Sequence, residues 1–131
     1  MTTAEIDTAL VGAWQAHVTF TDGPRRGEQE RLRWTFLPEG LIVGADADNG
    51  RLPPAVGEWT AEGARFSYWL NAVRSDSAGR PTTVVYGHAE GTLAAAGQTL
   101  TVSGGSEVYS GSGELLATNR ADAHATRVKA R

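Results

Sequence analysis

Cysteine is absent from the 131 residues, which excludes disulfides and thiolate metal sites. Lysine occurs once, at Lys129, beside eleven arginines. With Ala and Gly abundant, that bias points to GC-rich coding and a bacterial source. There is no excess of positive charge, since the formal net charge is −3, and a general nucleic-acid binder is excluded on that ground. No apolar run approaches about 20 residues, so no membrane-spanning helix is expected. The opening Met1-Thr2-Thr3-Ala4-Glu5 has neither a basic nor an apolar leader region, and the expected location is the cytoplasm. One domain over residues 1–131 accommodates this length with a real core.

What is present is strand rhythm. From Gly12 to Phe20 the even positions read Gly, Trp, Ala, Val, Phe and the odd ones Ala, Gln, His, Thr. Period-two alternation with one apolar face predicts a strand buried on one side. The glycine two places before Trp14, on the same face, is expected to leave room for the indole. Arg31–Phe36 alternates likewise, with Leu32, Trp34 and Phe36 inward. Pro38-Glu39-Gly40 then turns the chain into Leu41-Ile42-Val43. Residues Thr3–Leu10 predict one or two helical turns that could plug a barrel end. Asp46–Pro54, rich in Asp, Gly and Pro, predicts a loop able to arch over a mouth as a lid.

Further on the chain repeats itself. Gly57–Phe66 aligns with Gly91–Leu100 at a shift of 34 residues. The alignment persists as Gly79 falls on Gly113 and Ala89 on Ala123. Each unit reads as a short hairpin at Gly63 or Gly97 followed by a longer one at Gly79 or Gly113. Two such units after three strands predict an all-β, about eight-stranded antiparallel up-and-down barrel.

A Gly12-Ala13-Trp14 opening strand after a helical turn resembles the lipocalins and the wider calycin group of small barrels. The resemblance implies a small apolar molecule held inside the barrel. It also implies an arginine near the chain end packed across the motif tryptophan, a role that Arg127 could play over Trp14.

Counting by twos from Trp59 and Leu93 places Val85, Gly87, Ala89 and Gly91 inward on one strand, and Asn119, Ala121, Ala123 and Ala125 on another. Opposite them stand Trp34, Phe36, Trp59, Phe66, Tyr68 and Leu70. Interiors do not leave such space empty without cost. Either the aromatics cross and fill the lumen, or the small residues wall a ligand cavity. A strand slip at Gly104-Gly105 would turn Glu107 and Tyr109 inward; without it Ser106 and Val108 face in. The candidate catalytic groups are therefore Tyr68, Glu107 and Asn119. The candidate ligand-binding set is Trp34, Phe36, Trp59, Phe66, Tyr68, Leu70, Val85, Tyr109 and Ala121.

His17, His88 and His124 all count outward, with no metal-ligand spacing among them. Tyr86 also counts outward near His88, and that pair could belong to a homodimer contact. Asp46-x-Asp48-Asn49-Gly50 lacks the twelfth-position Glu of a calcium loop and reads as turn chemistry. Neither a metal nor a cofactor is expected. The expected partner is a hydrophobic small molecule. A cofactor-free cyclase or isomerase of natural-product biosynthesis, acting on a polyketide-like substrate, suits such a lumen. A carrier, sequestering or self-resistance protein is the alternative, and a filled barrel acting only as a subunit is a third.

Overall fold

The computed structural model describes residues 9–47 and 54–128. Eight antiparallel strands follow in chain order: β1 (Gly12–Asp22), β2 (Gln29–Leu37), β3 (Leu41–Asp46), β4 (Ala55–Glu62), β5 (Arg65–Ser75), β6 (Pro81–Leu93), β7 (Thr99–Ser110) and β8 (Leu115–Arg127). Each pairs with the next, and β1 pairs with β8, so the sheet closes into an up-and-down barrel with no free edge. A 3₁₀ turn over Pro38–Gly40 joins β2 to β3. The repeat corresponds to the β4–β5 and β6–β7 hairpins, turning at Gly63 and Gly97.

The expected helical turn lies outside the described residues apart from Ala9 and Leu10, which are helical. The expected lid lies mostly outside them, as does most of the calcium-like stretch. Among the described residues no helix is long and apolar enough to cross a membrane.

The inward faces agree with the alternation. On β1 the side chains of Trp14, Ala16, Val18 and Phe20 are buried while His17 and Thr19 are exposed. The two ends of the barrel differ sharply. At the end where β1 begins, Leu10, Trp14, Phe36, Ile42 and Leu100 are at most 1% exposed. Phe36 anchors this floor, meeting Trp59 and Phe66 edge-on with centroids 5.8 Å away in each case. The Trp59 indole N–H donates to the carbonyls of Leu37 (3.1 Å) and Leu41 (2.9 Å), tying β4 to the 3₁₀ turn.

Leu10 enters the barrel floor itself, and its carbonyl accepts the Trp14 indole N–H at 3.0 Å. Arg127, paired with Trp14 across the β1–β8 seam, lies over the indole with its guanidinium carbon 4.2 Å from the ring centroid. It donates to the carbonyls of Val11, Gly97 and Ala9. A planar five-donor group suits this site, because it satisfies three converging carbonyls and covers an aromatic face at once. Gly12 serves this arginine rather than the indole. A Cβ there would stand 3.0 Å from an Arg127 terminal nitrogen, and the backbone has φ +132. The space predicted for Trp14 is thus occupied by the cation that covers it.

Candidate functional site

The opposite half of the lumen is not filled. A cavity of about 200 Å³ opens between the strands toward the β1–β2 and β5–β6 turns. Its apolar wall includes Trp34, Leu70, Val85, Ala89, Ala121 and Ala123. The cause is a gradient of side-chain size along the inward faces. From floor to mouth β5 presents Phe66, Tyr68, Leu70, Ala72 and Arg74, and β2 presents Phe36, Trp34, Leu32 and Glu30. The two arrangements posed as alternatives, a filled lumen and a hollow walled by small residues, each occupy one half. Aromatics fill one end, and the small residues of β6 and β8 wall a hollow at the other.

Tyr68 sits at the boundary. Its ring tilts against Trp34 with centroids 5.5 Å apart and meets Phe36 edge-on at 6.4 Å. Every side-chain polar atom sealed inside the protein has a partner among the described residues. The Tyr68 hydroxyl has none there, so it is not sealed in, and Tyr68 lines the cavity wall. Burial pushes its phenol well above the ordinary value of about 10. It is therefore a neutral O–H donor on the cavity wall over the whole physiological range. Ser106 is the other hydroxyl on the wall.

The mouth carries charge. The side chain of Arg25 bonds to Glu28 (3.0 Å) and Glu30 (3.1 Å) and lies 4.1 Å over the Phe20 ring. Its backbone N–H donates to the Asn119 side-chain oxygen at 3.2 Å. Asn119 is 3% exposed and thus fastens the β1–β2 turn to β8. Gly23 permits the close approach: φ is +94, and a Cβ would meet the Thr118 carbonyl at 2.3 Å.

Five of the sequence-selected residues meet at the cavity: Trp34, Tyr68, Leu70, Val85 and Ala121. Phe36, Trp59 and Phe66 lie in the packed floor beneath it. Asn119 points inward as expected but is engaged with the mouth turn. Glu107 and Tyr109 are placed on the outer face, because β7 runs past Gly104-Gly105 without a slip and keeps Ser106 opposite Gly87 and Val108 opposite Val85. The glycine at 104 answers to crowding, since a Cβ there would meet the His88 carbonyl at 2.1 Å.

Outside, Glu107 bonds to His88 at 2.9 Å, and Tyr86 lies between the His88 ring (5.5 Å) and the Trp69 ring (6.4 Å). His17 and His124, directly paired across the seam, stack with centroids 5.3 Å apart. Among the described residues no three His, Asp or Glu side chains gather as a metal-ligand set.

Arg74 was missed by the sequence reading. It follows Leu70 and Ala72 on the inward parity of β5 and lines the cavity mouth. Counting by twos past Leu70 through Ala72, regardless of side-chain polarity, reaches it.

No family model matches the chain, and no curated protein matches it. The geometry therefore carries the functional reading by itself.

Proposed function

We propose that this barrel binds a hydrophobic small molecule in the open half of its lumen and promotes ring closure or isomerisation of it without a cofactor. The observation that carries this reading is the Tyr68 hydroxyl, without a hydrogen-bond partner among the described residues, on the wall of a largely apolar hollow. Such a donor can hydrogen-bond a substrate carbonyl more strongly as negative charge builds on that oxygen, in surroundings that exclude competing water. The phenol keeps its proton and acts only as a donor; the bond formed in the ring and the hydrogen that moves both come from the substrate, so the step is a rearrangement within one molecule and needs no oxidant. Confinement against Trp34 and Leu70 would bring reactive ends together. At about 200 Å³ the hollow lies below the usual ~300–1,000 Å³ of ligand clefts, which favours a compact substrate or one whose tail protrudes.

We further infer a calycin-like barrel of bacterial origin. A cytoplasmic setting suits the catalytic reading better than the ferrying one, because a substrate is made and consumed in place. The scarcity of polar groups on the wall favours a second reading, a carrier or sequestering protein that leaves its ligand unchanged. Native mass spectrometry after incubation with extract of the source cells tests both. A retained molecule formed from a consumed precursor of equal mass supports catalysis, with Tyr68→Phe lowering kcat by about 10²-fold and leaving affinity nearly intact. A retained molecule that never changes supports carriage. No retained molecule at all removes the lumen reading.

A further inference from the structure

Among the described residues, Arg25 and Arg74 are the arginines that line the mouth, and they are in opposite states. Arg25 is held by Glu28, Glu30 and the face of Phe20. Arg74 faces the same opening, half-buried, and its guanidinium has no carboxylate or carbonyl partner among the described residues. Its neighbour toward the floor on the same face is Ala72, so nothing on β5 covers it from the hollow. A guanidinium held beside an apolar cavity without a counter-ion is a standing demand for an anion.

We propose that the ligand is a compact organic monoanion, an apolar ring or short chain bearing one carboxylate. Its body seats against Trp34, Leu70 and Val85 and its carboxylate pairs with Arg74 at the mouth. This rests on the lumen-binding reading and adds the charge of the occupant. One negative charge is the fit. Glu28 and Glu30 already satisfy Arg25, and Glu30 would repel a second anionic group at the rim. A planar carboxylate matches the guanidinium fork with two parallel hydrogen bonds. A hydrogen-bond acceptor further along the same molecule would reach the Tyr68 hydroxyl. The ligand is thus read at two points, acid at the mouth and acceptor at depth.

Isothermal titration with 2-naphthoate against neutral 2-naphthamide, and benzoate against benzamide, tests this on wild type, Arg74→Gln and Gly87→Val. The acids are expected to bind about tenfold or more tightly than their amides, as one charge-assisted pair provides. Added salt should erode that preference. Arg74→Gln should abolish the preference and leave amide binding within about twofold. Gly87→Val, which fills the hollow, should weaken acids and amides together. Equal binding of acid and amide to wild type, or a preference that survives Arg74→Gln, overturns the anion assignment and leaves the lumen reading standing. If no member of either pair binds, or if Gly87→Val changes nothing, the lumen reading falls and the anion assignment with it. Should Arg74→Gln fail to fold by circular dichroism, the wild-type acid-to-amide ratio and its salt dependence decide.

Discussion

The two ends of this barrel are built from the same eight strands with the same inward parity, and yet one is solid and the other hollow. At the solid end Trp14 is covered by an arginine whose hydrogen bonds all go to backbone carbonyls. At the hollow end one arginine is neutralised by glutamates and the guanidinium of the other has no partner among the described residues. The contrast teaches that alternation decides which side chains face the lumen, while side-chain volume along each strand decides where the lumen ends. A guanidinium satisfied by backbone carbonyls is a structural part; one left without a partner beside a cavity is available for recognition.

The comparison breaks most visibly at the floor. Trp14→Ala should destabilise the fold by about 3–5 kcal/mol, as large core truncations do. Arg127→Leu should cost roughly 2 kcal/mol or more by leaving carbonyls of Val11, Gly97 and Ala9 unpaired. Urea titration followed by far-ultraviolet circular dichroism reads both. Neither loss should occur at the mouth. Gly87→Val places its new Cβ no nearer than 3.9 Å to another atom and adds β-branched bulk in a strand. It is expected to keep or modestly raise stability while weakening the binding of every probe in titration calorimetry.

The boundary between the halves can be sharpened by pH. Because burial raises the Tyr68 phenol in the folded protein, its neutral form is the one that folding favours. The unfolded chain releases this proton near pH 10 while the folded one holds it, so stability should fall as pH rises above about 10. Tyr68→Phe should flatten that fall, read as chemical-denaturation midpoints from pH 8 to 11. An equally steep decline in the variant would place the phenol in water. The smallest effect is expected outside the barrel. Glu107→Gln removes a part-exposed pair with His88, worth about 0.2–1 kcal/mol, and should leave probe affinity within about twofold.

Much of this was legible in advance because a barrel strand encodes its two faces with a period of two. Trp14, Trp34, Tyr68, Leu70, Val85 and Ala121 fall on the lumen face by counting alone. The position of the floor was not legible, because Phe36 is packed by Trp59 from β4 and Phe66 from β5, and only the closed ring brings those three together. Glu107 and Tyr109 depended on whether a glycine pair meant a slip or a close approach. The register irregularities fall instead between Phe20 and Asp22, between Arg74 and Ser75, and between Val108 and Tyr109, where no glycine marks them. The stacking of His17 on His124 likewise requires the β1–β8 register, which no local pattern states.

That seam has a consequence in time. Trp14 and Arg127 meet across it, so closing the ring joins the first strand to the last across nearly the whole chain. Such a long chain loop is costly to close before its contacts are rewarded, and β-rich topologies of this kind fold on the scale of milliseconds to seconds. Before closure, β1 and β8 each present an unpaired row of backbone groups that another chain could capture. Both strands lack lysine, and β8 carries Arg120 and Arg127 while β1 carries no arginine, which leaves β1 the less guarded of the two. A chain stalled before the ring closes would therefore be prone to aggregate through its first strand, and the hollow would come into being only with the last pairing.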